Sequence, residues 1–299
     1  MTAMVVLCAL WGLNQVTVKV ANGGISPLLQ AGLRSAGAAA LLWAWSSARG
    51  VRLFRRDGSG GLGLLIALLF AGEFAFLYWS LEFTNASRSV LFLYMAPFIV
   101  AIGAHWFIAG ERLRGIHVAG LIAAFAGTAI AFGDALRFPT YRELFGDVMA
   151  FVAALFWGAT TVLIKASALS RLSPDKMLFY QLAGSAPLLI GLSLAVGESG
   201  VYAPTPLILV CFLYQTVIVA FASYLCWFWL VAHYPAFRLA AFSFLTPIFG
   251  LIAGGVALDE PISGALILAM ALVGFGIYLV NRTQPAAVAV RADTVSPGD

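Results

Sequence analysis

Ten stretches of about twenty mostly apolar residues follow one another through this chain. They lie at 2–21, 28–48, 62–82, 86–110, 115–133, 146–168, 174–196, 205–230, 236–258 and 263–281. A run of that length is what a helix needs to cross the hydrocarbon core of a bilayer, and it is about twice as long as a barrel strand. In lipid, every backbone N–H and C=O has to be satisfied within the segment itself, so the helix is the element that spans. The chain is 62% hydrophobic and 10% charged, with a mean hydropathy of +0.96, where a soluble domain carries about 25% charge. No polar stretch is long enough to form a separate soluble domain. The first run has no basic segment before it and reads as the first span, not as a signal peptide. The Ala/Pro/Val-rich residues 283–299 read as a disordered tail.

The chain also contains the same pattern twice. Trp11-Gly12 is followed by Lys19, and Trp157-Gly158 by Lys165, with Lys eight residues after Trp in both cases. Ala86-Ser87-Arg88 precedes Pro97, and Ala236-Phe237-Arg238 precedes Pro247, with Pro nine residues after Arg in both cases. The offsets of 146 and 150 residues divide the chain into residues 1–135 and 146–282, five spans each.

Lys and Arg orient the spans. With the N-terminus in the cytoplasm, eleven cations fall on the inner side: Arg49, Arg52, Arg55, Arg56, Arg112, Arg114, Arg171, Lys176, Arg238, Arg282 and Arg291. Three fall outside, Arg88, Arg137 and Arg142, and Lys19, Arg34 and Lys165 lie within or at the ends of spans. This is the positive-inside bias. Both termini are then cytoplasmic. Five spans is an odd number, so the second half enters the membrane from the opposite side. The expected fold is an all-α membrane protein of ten transmembrane helices, built as two inverted five-helix repeats.

The charge does not point to nucleic acid, because the basic residues are scattered and form no stripe. Cys8, Cys211 and Cys226 all fall inside spans, without metal-ligand spacing, so neither a disulfide framework nor a metal is expected. No GxxxxGK[ST] loop is present for ATP, no HExxH or GxSxG for an enzyme, and no close pair of membrane carboxylates. No catalytic residue and no cofactor is expected.

Trp11 and Trp157 lie near the middle of their spans, away from the interface where Trp is usually enriched. An indole N–H at that depth requires a polar partner or a cavity. Asn14 and Gln15 share the face of Trp11, and Thr160 and Thr161 that of Trp157. Such a face suits a substrate surface; the competing reading is helix packing with polar glue. Glu73, in the middle of the third span, costs about 2.5–3.5 kcal/mol or more to insert. It should face the interior, with Arg34 and Lys19 as candidate partners. It is either a substrate-amine or proton site or a structural hydrogen bond. Phe76, Tyr78, Trp79, Tyr94, Tyr224, Trp227, Trp229, Phe242 and Phe244 offer an adaptable aromatic lining, which also attracts cations. Pro97 and Pro247 are candidate hinges within the fourth and ninth helices. Lys19 and Lys165 are either snorkelling cations or gating and helix-pairing groups. Gly250 and Gly254 form a GxxxG that reads as close packing, and His105 reads as structural.

Taken together, Trp11-Gly12, Trp157-Gly158, Leu33-Arg34, the stretches from Pro97 to Gly110-Glu111-Arg112 and from Pro247 to Asp259-Glu260-Pro261, and the small-residue runs Gly120 to Gly127 and Gly264 to Gly276 resemble the drug/metabolite transporter superfamily, specifically its ten-helix EamA-type exporters. The chain departs from that pattern at Asp259, where the family commonly has Gly. It also has Tyr180-Gln181 opposite Leu33-Arg34, so Arg34 has no symmetric partner. The aromatic richness is similar to that of the subgroup exporting aromatic amino acids and bulky cationic toxins. The resemblance implies a secondary exporter of aromatic amino acids or related amphipathic metabolites in a bacterial inner membrane. Its partners would be a small-molecule substrate, the lipid bilayer and, if Glu73 titrates, protons. A broad drug or cationic-toxin exporter, or a carrier of another metabolite, is the alternative within the superfamily. A membrane-embedded enzyme is the alternative outside it. Substrate-binding expectations are Trp11, Asn14, Glu73, Phe76, Tyr78, Tyr94, Trp157, Thr160, Tyr224 and Phe244, with Pro97, Pro247, Lys19 and Lys165 for hinge and gating.

Overall fold

The structure is a computed structural model that describes residues 2–55, 57–133, 138–257 and 264–282. Arg56, Arg137, Asp259-Glu260-Pro261, Arg291 and the 283–299 tail lie outside the described residues. Helices make up the architecture: α1 (Thr2–Ala21), α2 (Pro27–Ala48), α3 (Gly60–Phe83), α4 (Ala86–Leu93), α5 (Ala96–Phe107), α6 (Gly115–Ala131), α7 (Tyr141–Ala166), α8 (Pro174–Ala195), α9 (Pro206–Leu213), α10 (Tyr224–His233), α11 (Ala236–Phe242), α12 (Leu245–Ala257) and α13 (Gly264–Arg282). A π-helical segment, Tyr214–Ser223, joins α9 to α10. Among the described residues there is no strand, only an isolated bridge between Ile25 and Val201.

Local chemistry starts these helices. α2 and α8 each begin with proline after an extended serine, Ser26 and Ser173. Proline is favoured there because its missing N–H is one the helix leaves unpaired anyway. Thr140 and Glu143 form a reciprocal capping box at the start of α7. Among the described residues, eight helical stretches are long and apolar enough to cross a bilayer, counting α4–α5, α9–α10 and α11–α12 as continuous across their breaks. α6 is apolar but shorter. α2 has the length, but it carries Gln30, Arg34, Ser35, Ser46 and Ser47. The chain is an integral membrane protein.

The fourth and ninth expected spans are each broken. α4 stops at Leu93 and α5 restarts at Ala96; α11 stops at Phe242 and α12 restarts at Leu245. Pro97 and Pro247 follow each break. A proline ring clashes with the carbonyl four residues back, which here belongs to Leu93 or Ser243. The two prolines therefore sit at the start of a new helical segment and do not kink the interior of a continuous one.

The helices pack chiefly across the two halves of the chain. α1 lies on α12 and α5 on α7; α3 lies on α7 and α8; the π segment lies on α1 and α2; α2 lies on α8 and α6 on α13. Close approach at glycine sets two of these contacts. A Cβ on Gly12 would come within 2.6 Å of the Phe249 Cβ, and one on Gly158 within 2.5 Å of the Ile99 Cγ2. The GxxxG of α12 is not a two-point packing seam. A Cβ on Gly250 would come within 2.7 Å of the Gln15 side chain, whereas one on Gly254 would meet nothing within 4 Å among the described residues. The backbone-to-backbone seam is instead α6 on α13, where a Cβ on Gly120 would come within 2.6 Å of the Gly276 carbonyl and one on Gly127 within 2.8 Å of the Ala269 carbonyl.

Candidate functional site

The expected aromatic residues converge from both halves. The Trp11 indole Nε1 donates to the Ser223 Oγ at 2.8 Å. Its ring meets Trp227 and Tyr224 edge-on, at 5.6 Å and 6.3 Å between centroids. Tyr224 continues to Phe70, Phe70 to Phe74 and Phe74 to Tyr78, with successive rings 6.3, 4.9 and 6.2 Å apart. On the other side Trp157 meets Tyr94 edge-on at 5.8 Å, and Tyr94 lies 6.3 Å from Phe244. A narrow cleft between the two groups is lined by Pro97, Val100, Trp157, Thr161, Trp227 and Ser243. Edge-to-face geometry of this kind is the favoured arrangement of aromatic pairs.

Three expected residues are placed differently. Phe244 is fully buried and backs Tyr94. Phe76 packs on Trp79 and on Phe156 of α7, off the cluster. Thr160 is buried, and its hydroxyl donates to the Phe156 carbonyl one turn back. Asn14 stays half-buried beside Trp11, with its Oδ1 unpartnered among the described residues.

Glu73 lies in the middle of α3, half-buried. Of its two expected partners, Arg34 is the cation that acts on it. Lys19 is exposed at the end of α1. Arg34 is 3% exposed, its guanidinium carbon 4.8 Å from the centre of the Phe74 ring. It also acts electrostatically on Tyr78 and Tyr224. One turn from Arg34, Gln30 donates from its Nε2 to the Gln215 Oε1 of the π segment at 2.7 Å, both residues being buried. This polar seam runs between α2, α3 and the π segment, next to the aromatic cluster. π-helical turns are uncommon and often mark functional sites.

Charged contacts gather at the two ends of the bundle. At one end the Lys165 Nζ donates to the Glu111 Oε1 at 2.8 Å and to the Tyr234 carbonyl. The Glu111 Oε2 accepts from the Ala236 N–H at 2.7 Å, which caps α11. At the same end the Lys176 Nζ binds the Asp57 Oδ2 and the Arg55 carbonyl, each at 2.6 Å. The ammonium beside Asp57 holds its carboxyl well below the usual carboxylate range, helped by hydrogen bonds from Ser59. At the opposite end Arg88 grips Asp147 through Nε and Nη2, and Thr84 donates to the Asp147 Oδ1 at 3.0 Å. There too Glu198 caps α2, accepting from the Leu28 and Leu29 N–H groups at 3.0 Å each and from the Ser193 hydroxyl at 2.7 Å. Among the described residues Lys19 has no partner comparable to that of Lys165.

Sequence reasoning missed several members. Ser223, the partner of Trp11, is the residue opposite Glu73 at the 150-residue offset. Asp147 was legible as a charge inside an expected span, yet Arg88 reads as a loop cation until the two are seen to meet. Lys165 and Glu111 are 54 residues apart, and no spacing rule joins them.

The sequence pattern of the EamA-like transporter family matches residues 1–133 and 144–282. The chain is 26% identical over 278 residues to a probable amino-acid metabolite efflux pump of Escherichia coli (strain K12), covering 90% of each protein. It is 29% identical to the uncharacterized transporter YvbV of Bacillus subtilis (strain 168), covering 94% of this chain and 90% of that protein. A crystal structure at 20% identity superposes with a TM-score of 0.81 over 93% of this chain and 95% of its own, a likeness of fold.

Proposed function

Since the chain belongs to the EamA-like transporter family, we propose that it is a secondary exporter of aromatic amino acids or related amphipathic metabolites. Family and relatives indicate a transporter rather than an enzyme. In the proposed architecture, ten spanning segments form two inverted five-helix repeats in a bacterial inner membrane, with both termini cytoplasmic. The cross-half packing supports this. If α7 corresponds to α1 and α12 to α5, then α1 on α12 and α7 on α5 are the same contact made twice. The Gly12–Phe249 and Gly158–Ile99 approaches correspond in the same way. Such a fold can reach two mirror-related states, one open on each side.

The observation that carries the substrate reading is the aromatic cluster of Trp11, Tyr224, Trp227, Tyr94 and Trp157, drawn from both halves, with Glu73 and Arg34 beside it. An apolar lining with few polar anchors suits an amphipathic ligand with an aromatic side chain. The name of the Escherichia coli relative, an amino-acid metabolite efflux pump, points the same way. In this reading Trp11, Asn14, Tyr78, Tyr94, Trp157 and Tyr224 line the site, and Glu73 receives the substrate's amino group or a coupling proton. Phe76, Thr160 and Phe244 support the lining from behind. The helix breaks before Pro97 and Pro247 are the hinges. Lys165 and Glu111 latch the cytoplasmic end, and Lys19 is their counterpart at the other end.

The test is flux of radiolabelled phenylalanine and tryptophan in proteoliposomes, with and without an imposed pH gradient. Saturable flux, competed by other aromatic amino acids and lost in Trp157→Ala, is expected. A pH-gradient response that disappears in Glu73→Gln identifies proton coupling. Flux of bulky cationic drugs with none of any aromatic amino acid would replace the substrate class and keep the transporter.

A further inference from the structure

We infer that Arg34 is the anchor for a substrate carboxylate, so that the site selects zwitterionic α-amino acids and discriminates against amines of the same shape. The inference rests on the exporter reading above and deepens it. Arg34 is 3% exposed. Its Nε and Nη2 are both buried without a hydrogen-bond partner among the described residues. Neither a hydrogen bond nor an ion pair joins Arg34 to Glu73, although the two interact electrostatically. Burying charged donors without acceptors is costly, so a protein that keeps such a group buried gains from an acceptor that arrives and leaves.

The chemistry of the unpartnered edge names the acceptor. Nε and Nη2 form the edge of the guanidinium that presents two parallel N–H groups, which matches the two oxygens of a carboxylate. This chain uses that same edge elsewhere: Arg88 holds Asp147 through Nε and Nη2. In Arg34 the edge is unpartnered and lies against the aromatic cluster, over Phe74 and within electrostatic reach of Tyr78 and Tyr224. Glu73, on the neighbouring helix and within electrostatic reach of Arg34, is a carboxyl group able to accept hydrogen bonds from an ammonium. An α-amino acid carries both charges on one carbon, and the rings of the cluster receive its side chain. Seven residues after the starting proline, α2 has Arg34 where α8 has Gln181. The anchor therefore exists in one half only, and the ligand binds in one orientation.

The test compares competition of radiolabelled phenylalanine flux by phenylalanine, phenethylamine and phenylalaninamide, which keep the ring and the amine and differ in the carboxylate. In the parent protein the two ligands without a carboxylate should compete about 10–100-fold more weakly, the worth of hydrogen bonds to a charged group in a dry site. Arg34→Gln should weaken phenylalanine to the level of phenethylamine and leave phenethylamine nearly unchanged, and Arg34→Lys should recover part of the difference. Equal competition by phenylalanine and phenethylamine in the parent overturns the inference and leaves the exporter standing. Equal weakening of every ligand in folded Arg34→Gln also overturns it, because Arg34 would then act only on the structure. If the variant does not fold, the parent series alone decides. Absence of any phenylalanine flux in the parent is the distinct result that removes the exporter reading itself.

Discussion

Arg88 and Asp147 form an ion pair whose side chains are 5% and 1% exposed, joining α4 to α7. Asp147 has three donors: Nε and Nη2 of Arg88, and the hydroxyl of Thr84 at 3.0 Å. In Arg88→Met only Thr84 remains to solvate a buried carboxylate. Breaking a buried pair in this way costs about 3–5 kcal/mol, because the surviving charge has no compensation. Asp147→Leu removes the carboxylate that Arg88 holds and is destabilising as well. The double variant Arg88→Met/Asp147→Leu buries no charge. It gives up the Thr84 hydrogen bond, about 1 kcal/mol, and replaces the pair with apolar groups of similar reach, a change that is often neutral. The double variant should therefore be more stable than either single one, with a coupling energy above about 3 kcal/mol. Reversible unfolding by SDS titration in mixed micelles, with helix content as the readout, measures all four corners of the cycle. A double variant as unstable as the sum of the two single ones would refute the reasoning, since the pair would then contribute shape and not charge compensation.

Glu111→Gln keeps the size of the side chain but weakens the contacts to Lys165 and to the Ala236 N–H. It should shift the open–closed balance at that end by about 10-fold, the loss of charge assistance on such bonds. Faster labelling of a cysteine introduced at Thr161, in the cleft, checks it, and an unchanged rate contradicts a latch. Gly120→Ala places a methyl 2.6 Å from the Gly276 carbonyl, forces the α6–α13 backbones apart and should cost about 1–3 kcal/mol. Gly254→Ala meets nothing within 4 Å and should be neutral or slightly stabilising, so the order of the two melting temperatures is the readout. Asp57 is held below its usual range by Lys176. Its contribution is present above the unfolded carboxylate value of about 3.9 and is lost as pH falls from there towards the depressed folded value. The acid-side drop in melting temperature should accordingly be shallower in Asp57→Asn than in the parent; identical curves would show that the contact does not report on folding.

Much of the local organisation is legible in the sequence. Runs of about twenty apolar residues specify helices because lipid offers backbone groups no other partner. The two prolines nine residues after an arginine marked the irregular places of the fourth and ninth spans, but they read as kinks in continuous helices, and the structure breaks both helices just before them. Trp11 and Trp157 stood out because an indole N–H in an apolar run needs something polar, and the structure supplies Ser223 to Trp11. These are near-neighbour constraints, and a linear sequence carries them. Which charges meet is a different matter. Arg88 found Asp147, Lys165 found Glu111 and Gln30 found Gln215 across 59, 54 and 185 residues. Lys19, as spaced from its tryptophan as Lys165 is, has no comparable partner among the described residues. Phe244, in the break between α11 and α12, turns into packing, and Thr160, on α7, turns back onto its own backbone. The sequence by itself determined where the apolar helices lie and which residues start them, because those rules act within a few residues. Only the tertiary structure decided which polar groups are satisfied and which, like the Arg34 edge, are left unpartnered. That depends on the helix each one faces, and the rotation of a packed helix is set by all its neighbours at once.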